Sequence, residues 1–126
     1  MSRTVSPIEM EWLRTLLNVS FQGQTQLQSQ LPYLTVVEEV WSPYIALKFA
    51  SSGGESFPSA VRVPVDMIAW QDHHAPVQFL LHINNGTIDE LEVIALDGSV
   101  VDWENISLDQ LEYGVAEEVK IRMKPM

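Results

Sequence analysis

The chain has 126 residues, enough for one domain with a modest core, and its 17 acids against 7 Lys and Arg leave a formal net charge of −10. No run of about 18 apolar residues occurs, which excludes a membrane-spanning helix. The absence of cysteine excludes disulfides and thiolate metal sites.

In chain order, the opening segment MSRTVSPIEMEW has no apolar signal region, and the expectation is a cytoplasmic protein. Ser6-Pro7-Ile8-Glu9 starts a helix. Ser6 caps it, Pro7 suits the first turn and Glu9 closes a capping box. Trp12, Leu13, Leu16 and Leu17 then form one apolar stripe, so the helix runs from about Pro7 to Leu17 and docks on a sheet face. Val19-Ser20-Phe21 reads as a strand or an extended link. The four-residue spacing of Leu27 and Leu31 ahead of Pro32 predicts a short second helix from about Thr25 to Leu31.

Tyr33 to Trp41 is rich in β-branched and aromatic residues and predicts a strand, ended by Ser42-Pro43. Tyr44 to Ala50 predicts another, with Ile45, Leu47 and Phe49 on one face and Tyr44, Ala46, Lys48 and Ala50 on the other. Ser51 to Ser56 is a Gly-containing loop, and Ala60 to Val65 is extended with Pro64 at an edge or strand end. Asp66 to Asp72 fits either a strand or a helical turn. His73 to Pro76 is a loop.

The organising stretch is Val77 to Trp103, three short runs split by Asn84-Asn85-Gly86 and Asp97-Gly98, the pattern of an antiparallel meander. Val77, Phe79, Leu81 and Ile83 face one way; Leu91, Val93 and Ala95 match them on the return strand, with Glu90 and Glu92 opposite. A two-residue Asn85-Gly86 loop would set Leu81 against Glu90. A three-residue loop sets Phe79 against Leu91 and Val77 against Val93, and is the expectation here. Asp97-Gly98 then pairs Ala95 with Val100. Ser107 to Glu112 suits one helical turn, and Val119 to Met123 a last strand.

The charge is unevenly spread. From Val63 to Val119 there is no Lys or Arg, while twelve of the 17 acids fall there. Phosphates need a cationic footprint, so direct nucleic-acid binding is not expected. A field of this sign favours a basic protein partner.

Candidate chemistry is sparse. Asp72, His73, His74 and His82 are the only cluster of metal-ligand types, but adjacent histidines on a strand point apart, and the ligand spacing of a structural site is missing. His82 is expected near Glu90 as a surface pair. Glu90 with Glu92, and Asp102 with Glu104, could do acid–base work only in a desolvated cleft, and read first as a solvated face. No nucleophile elbow, phosphate loop or dinucleotide fingerprint occurs, and no cofactor is expected. Trp103, set between Asp102 and Glu104, is a candidate anchor for a basic partner.

Phe21-Gln22-Gly23, Pro64-Val65, Leu80-Leu81-His82 with Gly86, Glu90-Leu91-Glu92 and Asp97-Gly98-Ser99 resemble a family of small uncharacterised bacterial proteins, over roughly Leu16 to Asp102. Small acidic proteins of this kind include immunity proteins of contact-dependent and other polymorphic toxin systems. The resemblance implies a protein that neutralises a toxin domain, often a basic nuclease, by covering its active site. It brings no catalytic residues.

Together these readings predict one α+β domain over residues 1–126. An N-terminal helix and a short second helix pack on a curved antiparallel sheet of about five to seven strands. The expected function is non-enzymatic: an immunity protein that meets a cationic toxin through Glu90, Glu92, Asp102, Trp103 and Glu104, as monomer or homodimer. The alternatives are a self-associating structural protein and a small-ligand-binding or hydrolytic enzyme.

Overall fold

The computed structural model describes residues 2–122. Its elements are β1 (Arg3–Thr4), α1 (Pro7–Leu16), α2 (Gln24–Gln30), β2 (Leu34–Val40), β3 (Ile45–Ser51), β4 (Val65–Gln71), β5 (Val77–Asn84), β6 (Thr87–Ala95) and β7 (Ile106–Val115), with short 3-10 turns at Leu31–Tyr33, Trp103–Asn105 and Glu117–Val119. The fold is α+β, with one antiparallel sheet of seven strands in the order β1-β2-β3-β6-β5-β4-β7. Its two edges, β1 and β7, do not pair, so the sheet stays open.

Helix α1 begins as its residues dictate. The Ser6 hydroxyl accepts from the Glu9 N–H, and Glu9 Oε1 accepts from the Ser6 N–H at 2.9 Å, closing a capping box. Its stripe of Trp12, Leu13 and Leu16, with Leu17 at the C-cap, is buried. Leu27 of α2 joins them. The sheet answers with alternate residues: Ile45, Leu47 and Phe49 on β3, Val65, Met67 and Ala69 on β4, Val77, Phe79, Leu81 and Ile83 on β5, and Leu91, Val93 and Ala95 on β6. These form one apolar cluster between the helices and the inner face of the sheet. No helix of the described residues is long and apolar enough to cross a membrane.

A buried ion pair fastens α1 to the sheet edge. Glu9 is 1 % exposed, and its carboxylate takes both terminal nitrogens of Arg3 on β1, at 2.8 and 2.7 Å. Arg3 also donates to Glu39 on β2, at 2.8 Å. Burial disfavours the Glu9 anion, but the Arg3 guanidinium and the Ser6 N–H outweigh it and hold the carboxyl below its ordinary range.

Two buried glutamines pin the loops. Gln30, 2 % exposed, donates to Glu55 O at 2.7 Å and Gly86 O at 2.9 Å and accepts from the Ile88 N–H at 2.8 Å. It thereby joins α2, the β3–β4 connection and the β5–β6 turn. Gln71 donates to Ala75 O at 2.8 Å and accepts from the Asp102 N–H at 2.7 Å.

The β5–β6 hairpin takes the two-residue loop, not the three-residue loop expected from sequence. Asn84 pairs with Thr87, so the loop is the two-residue Asn85-Gly86, with both φ values positive, 52° and 77°. That loop alone would carry Glu90 opposite Leu81. A bulge between His82 and Ile83 on one side and Glu90 and Ile88 on the other inserts Asp89, shifts the register by one residue and restores the match. Phe79 therefore pairs with Val93, Val77 with Ala95 and Leu81 with Leu91, in place of the expected partners. Any Cβ at Gly86 would collide with Ser56 Oγ, so glycine is required there by space as well as by φ.

Three further expectations are corrected. Asp97-Gly98 does not start a hairpin: Gly98 N–H bonds to Ala95 O at 2.9 Å, but the chain then leaves the sheet and Val101 N–H bonds to Pro43 O at 2.8 Å. Ala95 already pairs with Val77, and β6 is flanked on its other side by β3, so no place for Val100 remains. Ser107 to Glu112 is not a helical turn but part of β7, because β4 offers a free edge that this segment completes. Val119 is buried at the end of a 3-10 turn and Lys120 to Arg122 is irregular rather than a strand; Met123 lies outside the described residues. Asp66 to Asp72, ambiguous in sequence, is strand β4 through Gln71, and of Ala60 to Val65 only Val65 belongs to a strand.

Candidate functional site

The face of the sheet turned away from the helices carries the residues that alternate with the core. Register places them in rows. One row runs Val40, Ala46, Glu92, Leu80, Asp66, Gly114 from β2 to β7. A second runs Glu38, Lys48, Glu90, His82. A third runs Ile94, Gln78, Ile68, Glu112. Leu80, Ile94 and Ile68 are partly exposed, so this outer face has an apolar middle crossed by carboxylates.

Glu90 and Glu92 therefore share this face with Asp66 and Glu112. His82 lies directly across from Glu90, as expected, but its Nε2 sits 3.2 Å from Glu92 Oε1, the diagonal neighbour, so the pair is His82–Glu92 rather than His82–Glu90. Lys48 stands between Glu38 and Glu90 and is the one fixed cation in these rows. Gly114 leaves room for Asp66: a Cβ there would lie 2.7 Å from Asp66 Oδ1.

Asp102, Trp103 and Glu104 lie elsewhere, on the connection from β6 to β7. Trp103 is 37 % exposed. It stacks edge-on against Trp41 at 5.5 Å between ring centroids, Trp41 lies 6.2 Å from Trp12, and Trp12 lies 5.6 Å from Phe79. This aromatic ladder leads from the sheet end into the helix-covered core, away from the face of Glu90 and Glu92. Trp41 Nε1 donates to Glu39 at 2.8 Å, and hydrogen bonds from Arg3 first and Trp41 second hold the Glu39 carboxyl low. Asp102 is occupied locally: its N–H goes to Gln71, its carboxylate accepts from Asn105 Nδ2 at 2.7 Å, and His74 Nε2 is 3.6 Å away.

The acids of the second half thus divide. Asp66, Glu90, Glu92 and Glu112 converge on the outer face, Asp102 and Glu104 flank the aromatic ladder, and Glu117 is paired with Lys120 at 2.9 Å and with Arg122. His73, His74 and Asp72 are exposed in the β4–β5 turn and His82 is on the sheet; among the described residues no group of three or more acids and histidines is placed to hold a metal ion.

Sequence reasoning missed Asp66, Ile68 and Glu112 as neighbours of Glu90 and Glu92. The signal for the first two was present: Val65, Met67 and Ala69 alternate with Asp66, Ile68 and Trp70 at a period of two. The signal for Glu112 was not, since β7 is an edge strand with no fully buried residue and no clean alternation.

The fold and site define an acidic α+β protein with one uncovered sheet face. Comparison with known protein families, curated proteins and solved structures returns no match.

Proposed function

We propose that this chain is a binding protein rather than an enzyme, and that its uncovered sheet face receives a cationic protein. The concrete form of the proposal is an immunity protein that neutralises a toxin domain by covering its active site. The observation that carries the reading is the convergence of Glu90, Glu92, Asp66 and Glu112 around partly exposed Leu80, Ile68 and Ile94, with Lys48 the one fixed cation in the same rows. An apolar centre crossed by charge of one sign is the composition of a recognition surface for a partner of the other sign. A net charge of −10 adds a long-range field of that sign. Mechanism follows in two steps: steering by the field, then burial of the apolar middle, with Lys48 and His82 setting the register of the partner's charges. Trp103 and its flanking Asp102 and Glu104 form a second, separate contact region at the sheet end.

Self-association through the β7 edge is the weaker reading, because Asp109 and Glu112 are exposed along that edge and a second copy would bring like charges together. The test is co-expression with the product of the neighbouring reading frame. Relief of that product's toxicity, together with a stable complex whose formation shifts the methyl NMR signals of Ile68, Leu80 and Ile94, is the expected result. A complex that leaves those methyl signals unmoved would place the site elsewhere, and a non-toxic neighbour with no complex would remove the immunity reading.

A further inference from the structure

The helix layer covers the β7 edge only in part. Leu108, Leu111 and Tyr113 on β7 are only partly buried, whereas the inward residues of β4, β5 and β6 are buried. The space left over is a cleft of about 660 Å³ between β7, the C-terminal half of α1 and the α2–β2 corner. Its floor is Leu108, Leu111 and Tyr113, and Leu31 and Pro32 close one side. The Tyr113 hydroxyl donates to Thr15 O at 2.5 Å, which fixes β7 to α1 and keeps the cleft at its width.

Arg14 lines this cleft. A cation in the last turn of α1 suits the helix dipole, and that alone would account for its presence. Two facts go further. Arg3 is held by Glu9 and Glu39, and Lys120 and Arg122 by Glu117, but among the described residues Arg14, like Lys48 and Arg62, has no carboxylate within ion-pair distance, and of these three it alone lines this cleft. And of the cleft's lining among the described residues it is the only charged one, in a chain that is otherwise strongly acidic. We propose that the cleft is a binding site for a small amphipathic carboxylate, whose anion takes the Arg14 guanidinium and whose apolar body lies on Leu108, Leu111 and Leu31. The volume falls within the usual range of small-molecule sites, roughly 300–1,000 Å³, and a guanidinium fork matches a carboxylate in two parallel hydrogen bonds. This site is separate from the outer sheet face and does not depend on the function proposed for it.

Titration of isotope-labelled protein with decanoate, followed by NMR, tests the assignment. Saturable shifts confined to Arg14, Asn18, Leu108, Leu111 and Tyr113 are expected, with binding weakened roughly tenfold or more by Arg14→Gln. Decanol should bind wild type as weakly as decanoate binds that variant, and Arg62→Gln should leave decanoate binding unchanged. Shifts that never saturate, that spread over Ile68, Leu80 and Ile94 on the opposite face, or that are indifferent to Arg14→Gln would overturn the proposal. Should Arg14→Gln unfold, the decanoate–decanol comparison on wild type decides alone: equal affinity removes the role of the cation.

Discussion

Replacing Gln30 by Met tests how the loops are held. Methionine has nearly the same length and helix propensity, so α2 itself is not perturbed. The side chain makes three hydrogen bonds, and their loss is unequal. Glu55 is exposed, so water can reach its carbonyl. Gly86 O keeps the Phe57 N–H at 2.8 Å. The Ile88 N–H is left without this partner beneath a residue that is 0 % exposed. An orphaned buried donor costs about 1–3 kcal/mol, and the two weaker losses add about 1 kcal/mol together. A methionine in the same space returns less than about 1 kcal/mol of apolar burial. The net loss is therefore about 1–4 kcal/mol, which lowers Tm by about 4–15 °C for a domain of this size. Urea unfolding measures it, and hydrogen exchange should show the Ile88 amide losing protection ahead of the β5 core. A loss under about 0.5 kcal/mol, or an Ile88 amide as slow as in wild type, would refute the idea that Gln30 ties α2 to the hairpin.

The Arg3–Glu9 pair gives a second expectation. Arg3→Met strands a buried carboxylate that keeps only its capping bond to Ser6, and should destabilise by about 2–4 kcal/mol, with Glu9→Gln in the same background restoring part of it. Because the folded-state pKa of Glu9 is depressed, wild type holds the full contribution above the ordinary glutamate range and loses it as pH falls through the folded value; acid unfolding midpoints report this. Gly86→Ala should cost more than about 1 kcal/mol, since it meets both a positive φ and the Ser56 side chain, whereas Gly98→Ala, with the same sign of φ but open space, should cost less. Thermal melts of the two variants compare them directly.

Much of this fold could be read from local chemistry. The capping box at Ser6 and Glu9, the stripe from Trp12 to Leu17, and the alternation of Ile45, Leu47 and Phe49 each follow from side-chain spacing, and each stands as expected. The Asn85-Gly86 turn was legible as a turn, but its register was not, because the bulge at Asp89 leaves no composition signal. Ser107 to Glu112 became a strand because the free edge of β4 outweighed a weak local helical pattern, a tertiary effect outside the reach of a short window. The same limits shaped the site. Glu90 and Glu92 were found because alternation on β6 is clean, while Asp102, Trp103 and Glu104 were grouped with them by sequence proximity alone. The chain carries those three past Ser99 to the end of the sheet, where Trp103 joins Trp41.

If the outer face meets a positively charged protein, the rate of association carries the signature of that charge. With the neighbouring gene product as ligand, wild type should associate at a rate that falls steeply with added salt, and the double variant Glu90→Lys, Glu92→Lys should associate about tenfold or more slowly with a flatter salt dependence. Both substitutions lie on partly exposed strand positions, so circular dichroism and Tm should stay close to wild type. A folded double variant that associates as fast as wild type at every ionic strength would mean that the partner does not meet this face.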